Sequence, residues 1–387
     1  MNTQNKPLSQ VRRTFRVKWY RCPIERETLR QLMQRSNLRG AFQAVGHLAL
    51  WMGTGLLSYY LFKHQLWVGF ALALFLHGTV GSFFRGLAVH ELGHGTVFRT
   101  MRLNRLFLRI YSALSWWDFH EYAMSHTYHH RYTLHPDGDR EVVLPRNPTL
   151  RFLCLLQLFT VNFTYATDCN PIILTIKRFL WTAFDRYYAE WPKALFEGHP
   201  EARKQEVNWA RSVLAFHVVV IGVSAGLGEP ILAVLISGHV FIGNWLKYFV
   251  GLPMHCGLRD NVPDFRLCVR SITLNPISEF LYWHMNWHTE HHMFAGVPCY
   301  NLATLHNEVK DDMPKPRTMI GAWREMRETW RRQQDDPDYQ FDTPLPPTAH
   351  SAVTRATEAK DEDPLEASIG DLAPKALSRL SSAPSTV

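Results

Sequence analysis

The sequence has 387 residues, 46% of them hydrophobic and 13% aromatic, with a formal net charge of +8 and 20 histidines. That length allows two ordinary soluble domains or one membrane protein with a sizeable aqueous part. The Lys and Arg form no nucleic-acid reader motif, so no nucleic-acid partner is expected; they gather before the first apolar run and between runs, which suits an anionic membrane surface.

Residues 1–40 are basic, with Glu25 and Glu27 as their only acidic members. No short apolar core with a cleavage site follows Met1, so a cytosolic segment is expected rather than a signal peptide. Residues 41–62 and 66–89 are apolar runs separated by Lys63, His64 and Gln65. A bilayer core of about 30 Å needs roughly 20 helical residues, so each run predicts one crossing. The three polar residues between them predict a tight turn. Residues 213–227 and 231–252, joined by Gly228, Glu229 and Pro230, predict a second hairpin, with Pro230 suited to the first turn of a new helix. The basic N-terminus should stay in the cytoplasm. Four crossings then put the segments after Val89 and after Leu252, and the C-terminus, on that same side.

Two further apolar stretches carry charges. Residues 103–117 contain Arg105 and Arg109, and residues 150–163 contain Arg151, so interfacial amphipathic helices are expected there. From 334 to 387 the chain turns to Asp, Pro, Ser, Ala and Thr, which predicts a disordered tail behind a membrane domain at 41–333. The cysteines Cys22, Cys154, Cys169, Cys256, Cys268 and Cys299 have no CxxC spacing and read as reduced thiols.

The histidines carry the chemistry. His90-Glu-Leu-Gly-His94 follows the second run; His126-Thr-Tyr-His129-His130 and His288-Thr-Glu-His291-His292 come later. On a helix, residues three or four apart share a face. An HxxHH segment therefore aims its first and last rings, and partly its middle one, at one point. Protonated rings so close would repel, and neutral buried rings would each need a partner. A metal meets both demands. Lone histidines, namely His47, His64, His77, His199, His217, His306 and His350, read as core or surface residues. HELGH also fits the HExxH of zinc proteases, with Glu91 as general base. Such a site takes three protein ligands and a water, which would leave two HxxHH segments idle. The number of imidazoles fits two ions of higher coordination number better.

HELGH, HTYHH and HTEHH, in this order and separated by apolar hairpins, resemble the three histidine boxes of membrane fatty acid desaturases and related hydroxylases. Met285-Asn-Trp-His-Thr-Glu-His-His-Met-Phe294 is similar to the last box. The resemblance covers about Leu66 to Tyr300. It implies an all-α integral membrane protein: four transmembrane helices in two hairpins, with a cytosolic helical cap holding a di-iron site. It also implies two iron ions and O2 as co-substrate. Its ligands would be His90, His94, His126, His129, His130, His288, His291 and His292, with His255 of Pro253-Met-His255-Cys-Gly257 as a ninth. Some members add an asparagine four residues before that last histidine; Gly251 stands there, and Asn244 is a weak substitute. Glu91, Asp118, His120 and Glu290 are candidates to orient ligand rings, as are Glu121, Asp139 and Glu279. His135 and His284 flank boxes without matching them. Trp116, Trp117, Trp283 and Trp287 are candidates to line an acyl channel. The implied reaction is desaturation of a fatty acyl or lipid-like chain. Hydroxylation or ketolation on the same scaffold, desaturation of a small metabolite such as dihydrorhizobitoxine, and a membrane zinc protease are the alternatives. No G-x-G-x-x-G fingerprint is present, so electrons are expected from a separate ferredoxin or cytochrome b5-like carrier with its reductase. The basic segments 12–39 and 99–109 could receive such a carrier or touch lipid.

Overall fold

The computed structural model describes residues 6–141, 151–164 and 171–352. Cys169 and the tail from 353 lie outside the described residues. The chain is mostly helical, as its alternation of apolar runs and histidine boxes leads one to expect. Two short helices, α1 (Leu8–Thr14) and α2 (Arg26–Leu32), precede α3 (Asn37–Lys63). Ser36 caps α3 by accepting from the Arg39 N–H. A turn with Gln65 in the left-handed region reverses the chain into α4 (Trp67–Ser82), which packs along α3.

The second apolar run is not one straight helix. A π-type turn at Phe84–Ala88 has Arg85 extended and Gly86 left-handed, and α5 (Val89–His94) follows. Arg85, which the reading of 66–89 as purely apolar passed over, is buried, and its guanidinium donates to the Ser115 carbonyl. Gly95, at φ 68°, then stops α5 immediately after the histidine box.

Next come α6 (Met101–Leu114), α7 (Phe119–Tyr132), α8 (Phe152–Phe159), α9 (Ile172–Ala183), α10 (Glu190–Phe196) and α11 (Pro200–Gly226). The 14 residues of α6 reach about 21 Å and the 8 of α8 about 12 Å, both short of a bilayer core. The third expected crossing is the C-terminal half of α11, which begins at Pro200 rather than near 213.

The fourth needs correction, because residues 231–252 do not form one helix. α12 (Ile231–Ala233) passes into a π-type turn at Val234–Gly238 and a 3-10 turn at His239–Phe241. Ile242 is extended, Gly243 is left-handed, and α13 (Trp245–Gly251) resumes. Close approach to α4 explains the break. A Cβ on Gly243 would lie 2.8 Å from the Phe75 carbonyl oxygen, and one on Gly78 2.7 Å from the Ile242 Cβ.

Among the described residues, two helices are long and apolar enough to cross a membrane: the kinked Trp67–His94 and Pro200–Gly226. α3 is as long, but buried Gln43, His47, Thr54 and Ser58 dilute it. Large apolar side chains stand exposed along α3, α4, α8, α9 and α11, among them Phe42, Leu72, Phe152, Ile173 and Val218.

The C-terminal part holds α14 (Phe265–Cys268), β1 (Ile272–Thr273), α15 (Pro276–Leu281), α16 (His288–Met293), α17 (Leu302–Val309), β2 (Arg317–Thr318) and α18 (Met319–Arg332). β1 and β2 pair in parallel. Disorder was expected from 334, yet residues up to 352 pack on the body. Phe341 bridges Leu258, and Asp312 accepts from the His350 N–H at 2.6 Å. The main core gathers Phe83, Leu92, Tyr111, Trp283 and Leu302 beneath the histidine-bearing helices. The five cysteines among the described residues are buried and free of disulfides.

Candidate metal centre

The three boxes sit on α5, α7 and α16, each fixed locally. Asp118 caps α7, its carboxylate accepting from the His120 and Glu121 N–H groups. α16 is anchored by Thr289, whose N–H donates to Ser271 Oγ and whose hydroxyl donates to the Val269 carbonyl. His255 follows α13 on a 3-10 turn begun by Leu252 and Pro253.

All nine expected histidines converge, in two groups. His90, His94, His126, His130 and His291 form one; His129, His255, His288 and His292 form the other, and within each group the ligand atoms lie within 4.8 Å of one another. The helical projection was incomplete on one point. In each HxxHH the first and last rings join one group, and the middle ring joins the other. Four residues advance a helix by 400°, which returns to nearly the same direction, whereas the middle ring stands 100° away from the last. α7 gives His126 and His130 to the group of five and His129 to the group of four; α16 does the reverse.

The Nε2 atoms face inward. His90 and His94 Nε2 are 3.4 Å apart, and His130 and His291 Nε2 are 3.2 Å apart. In the other group, His288 Nε2 lies 3.0 Å from His255 Nε2 and 3.1 Å from His292 Nε2. Five Nδ1 atoms are tied outward, while those of His288 and His291 are buried without a hydrogen-bond partner. His90 Nδ1 donates to Glu91, His126 Nδ1 to Glu141 and His129 Nδ1 to Asp139, at 2.8, 2.9 and 2.9 Å. His255 Nδ1 donates to the Cys268 carbonyl at 3.1 Å. Thr133 gives its hydroxyl proton to the His129 carbonyl and accepts from His292 Nδ1. With Nδ1 protonated, each of these rings presents the Nε2 lone pair inward, as a metal ligand must.

Burial and neighbouring rings hold His126, His130, His288, His291 and His292 well below the usual imidazole range, and burial brings His255 down to about 3. His129 goes the other way: burial alone would lower it, but the Asp139 charge and hydrogen bond raise it. Burial pushes Glu141 up to about 7. His126 Nε2 is buried without a hydrogen-bond partner. Crowded inward nitrogens on mostly neutral rings, with that of His126 orphaned, fit cations better than any internal network would.

Of the residues expected to orient the rings, Glu91 touches His90 and lies 3.7 Å from His291 Nδ1. Asp139 holds His129 Nδ1. Asp118 instead caps α7, and burial pushes it up to about 7. The His120 ring lies on Phe119. Glu290 accepts from Ser271 and His306 at 2.6 Å each, bracing α16 from behind. Glu121 is held by Arg178 and Tyr188. Glu279 takes the Trp287 N–H and pairs with His284. Glu141, Thr133 and the Cys268 carbonyl were missed. Only the short separation of Glu141 from the second box, ten residues, hinted at the first, and a backbone carbonyl leaves no trace in sequence at all.

The tryptophans are packed. Trp116 stacks on His217 at 3.7 Å and donates to the Ser237 carbonyl; Trp283 donates to His47 Nδ1. The Trp117 carbonyl accepts from Trp209. His135 lies edge-on to Trp19. Asn244 is buried at the start of α13, and Gly251 faces the Tyr282 hydroxyl, 3.8 Å from where a Cβ would stand. An open apolar depression of about 510 Å³ runs along α9 beside Ile173, Ile176, Leu180 and Trp181, and none of its lining residues belongs to a histidine-bearing element.

The model of the fatty acid desaturase family matches residues 65–323, a span that contains every histidine of both groups. No curated protein matches the chain.

Proposed function

Because the chain belongs to the fatty acid desaturase family, we propose that it is an O2-dependent, di-iron desaturase that introduces a double bond into a fatty acyl or lipid-like chain. The observation that carries this reading is the sorting of nine imidazoles into inward-facing groups of five and four. Imidazole suits iron, copper, nickel and zinc alike. Two adjacent all-nitrogen groups suit a redox pair better than one tetrahedral zinc. The Glu91 carboxylate supports the same choice. It is engaged on the Nδ1 side of His90, behind the ring, whereas a protease base would stand beside the inward nitrogens.

Two irons would be held by His90, His94, His126, His130 and His291 on one side and by His129, His255, His288 and His292 on the other. When bound, they supply the oxidising power that takes hydrogens from unactivated C–H bonds using O2. The protein's own residues do the positioning. Glu91, Glu141, Asp139, Thr133 and the Cys268 carbonyl fix ring orientation. The buried setting keeps bulk water from the reacting carbons.

The exposed apolar faces support a membrane-embedded enzyme. We read α3, the kinked Trp67–His94 helix, α11 and the broken segment from Ile231 to Gly251 as its four crossings. A broken crossing is tolerated where it is buried against protein. The basic N-terminus favours a cytoplasmic site and cytoplasmic termini.

The test is purification with metal analysis, followed by product analysis from cells expressing the chain. About two irons per chain, with a product lighter by two hydrogens, is the expected result. A product heavier by one oxygen would make it a hydroxylase. One zinc with no redox product would overturn the reading.

A further inference from the structure

The group of four has an aromatic connection to the surface. Phe265, at the start of α14, has its ring centroid 5.5 Å from that of His292. Trp19 stacks flat on Phe265, with centroids 4.0 Å apart and planes 8° from parallel. Phe265 is buried and Trp19 is partly exposed. Trp19 is locked there: its indole N–H donates to the Arg131 carbonyl, and the next residue, Tyr20, donates its N–H to the Pro263 carbonyl. His135 and Phe15 extend the aromatic patch beside it.

The chain around this patch is positive on its outer side. Arg13, Arg16 and Lys18 are exposed, and Arg131 stands beside Trp19. Asp137, the acidic group of the neighbouring loop, is paired with Lys6. Asp260 remains as a partly exposed negative charge. The arm is not a loose basic tail. Leu8 and Val11 are buried against Met124, Tyr128 and Tyr132 on α7, which carries the second box. Every strongly exposed large apolar side chain of the described residues lies at Leu38 or beyond, so the arm offers the bilayer core nothing to bury.

Resting on the desaturase reading above, we propose that the face formed by Arg13, Arg16, Lys18 and Trp19 is the docking site of a small acidic one-electron carrier, and that electrons enter through Trp19 and Phe265 to His292. Electronic coupling falls steeply with distance, and one stacked pair followed by a tilted pair 5.5 Å apart gives short steps from this surface to a histidine of the site. Positive charge around the entry point raises the encounter rate with a negative partner. The electron count requires two visits. R–CH2–CH2–R′ with O2, two electrons and two protons gives R–CH=CH–R′ and two waters. The substrate supplies two of the four electrons that O2 takes, and a reduced iron–sulfur or haem carrier supplies the other two, one at a time.

The test uses the iron-loaded full chain in nanodiscs, mixed in stopped flow with a reduced [2Fe–2S] ferredoxin and, separately, with the reduced soluble domain of cytochrome b5. Dithionite reduction is the control. In the triple variant Arg13→Glu, Arg16→Glu, Lys18→Glu, carrier-driven reduction should slow about tenfold or more at low ionic strength, and the difference should vanish near 1 M salt. Trp19→Leu should slow the electron-transfer step even at saturating carrier, and Trp19→Phe should restore most of it. Dithionite rates should stay unchanged in all three. Unaltered carrier rates in the charge-reversed variant, with weakened retention of anionic lipid instead, would mark a lipid-facing arm and overturn the proposal. So would a wild type that neither carrier reduces although dithionite does. A chain that holds no iron at all would fail the desaturase reading itself and take this proposal with it.

Discussion

His217 and His291 are equally hidden from solvent, at 1% and 0% exposure, yet they answer their burial in opposite ways. His217 meets Ser237 Oγ with one ring nitrogen and the Ala113 carbonyl with the other, at 2.8 and 3.0 Å, and lies flat on Trp116. His77 bonds Thr54, Trp51 and Leu235, and His47 bonds Val80 and Trp283. These rings of the apolar helices are closed systems, satisfied by carbonyls, hydroxyls and an indole. His291 instead points Nε2 at another Nε2. Two inward nitrogens facing each other in a dry interior, with His291 Nδ1 left unpartnered behind, suit a cation between them. Burial alone therefore says little about a histidine; what its second nitrogen faces says nearly everything.

The comparison can be broken most sharply at His291. His291→Ala should lower turnover at least about 100-fold and reduce iron to about one ion per chain, because the support of even an outer partner is worth ten- to hundredfold. Metal analysis beside a product assay checks this, and full iron occupancy would erase the distinction between the two kinds of ring. Asp139→Asn should cost about ten- to hundredfold in iron affinity or rate, since it frees His129 Nδ1 and removes the charge beside it. Titration with ferrous iron reads that loss. Chelation should lower the thermal midpoint of the wild type by several degrees, through loss of a ligand that binds only the folded state. The same treatment should move His291→Ala by less, since that variant starts with only about one ion to lose, and differential scanning can compare the two directly. The smallest effect belongs to the closed set. His217→Ala should leave iron content intact and cost about 1–3 kcal/mol, the price of stranding Ser237 and the Ala113 carbonyl. A loss of iron there would show that the apolar helices are coupled to the site.

Much of the centre was legible because histidine spacing is a local signal. The boxes fall on helices and their eight rings meet as the spacing implied, while His255, suggested by the resemblance alone, joins them. The allotment of middle rings was also readable, since it follows from helical angle alone, but only once two meeting points were considered instead of one. The supporting partners were less so. Asp139 is ten residues beyond His129, and its reach depends on a loop in which Leu134 takes a left-handed backbone. Asp118 and Glu290 lie near the boxes in sequence but face elsewhere, because neighbours on a helix point in different directions. Among the helices, α3 and α4 followed the apolar pattern. The run from 231 failed it, since hydropathy is blind to backbone path. Its clue in the sequence was Gly243 in an otherwise bulky stretch, where glycine permits the tight approach to Phe75. The start of the tail was set too early because composition sees few apolar residues there, whereas Phe341 alone suffices to pin the segment.

The interleaving of the boxes has a consequence in time. Four of the group of five, His90, His94, His126 and His130, lie at or before position 130 of the polypeptide, and only His291 comes late. The group of four has His129 alone in that stretch and waits for His255, His288 and His292. As the ribosome works from the N-terminus, one half-cage is nearly complete while the other is a single ring. The same late helix, α16, then closes both, so the final step of maturation is shared even though the first is not.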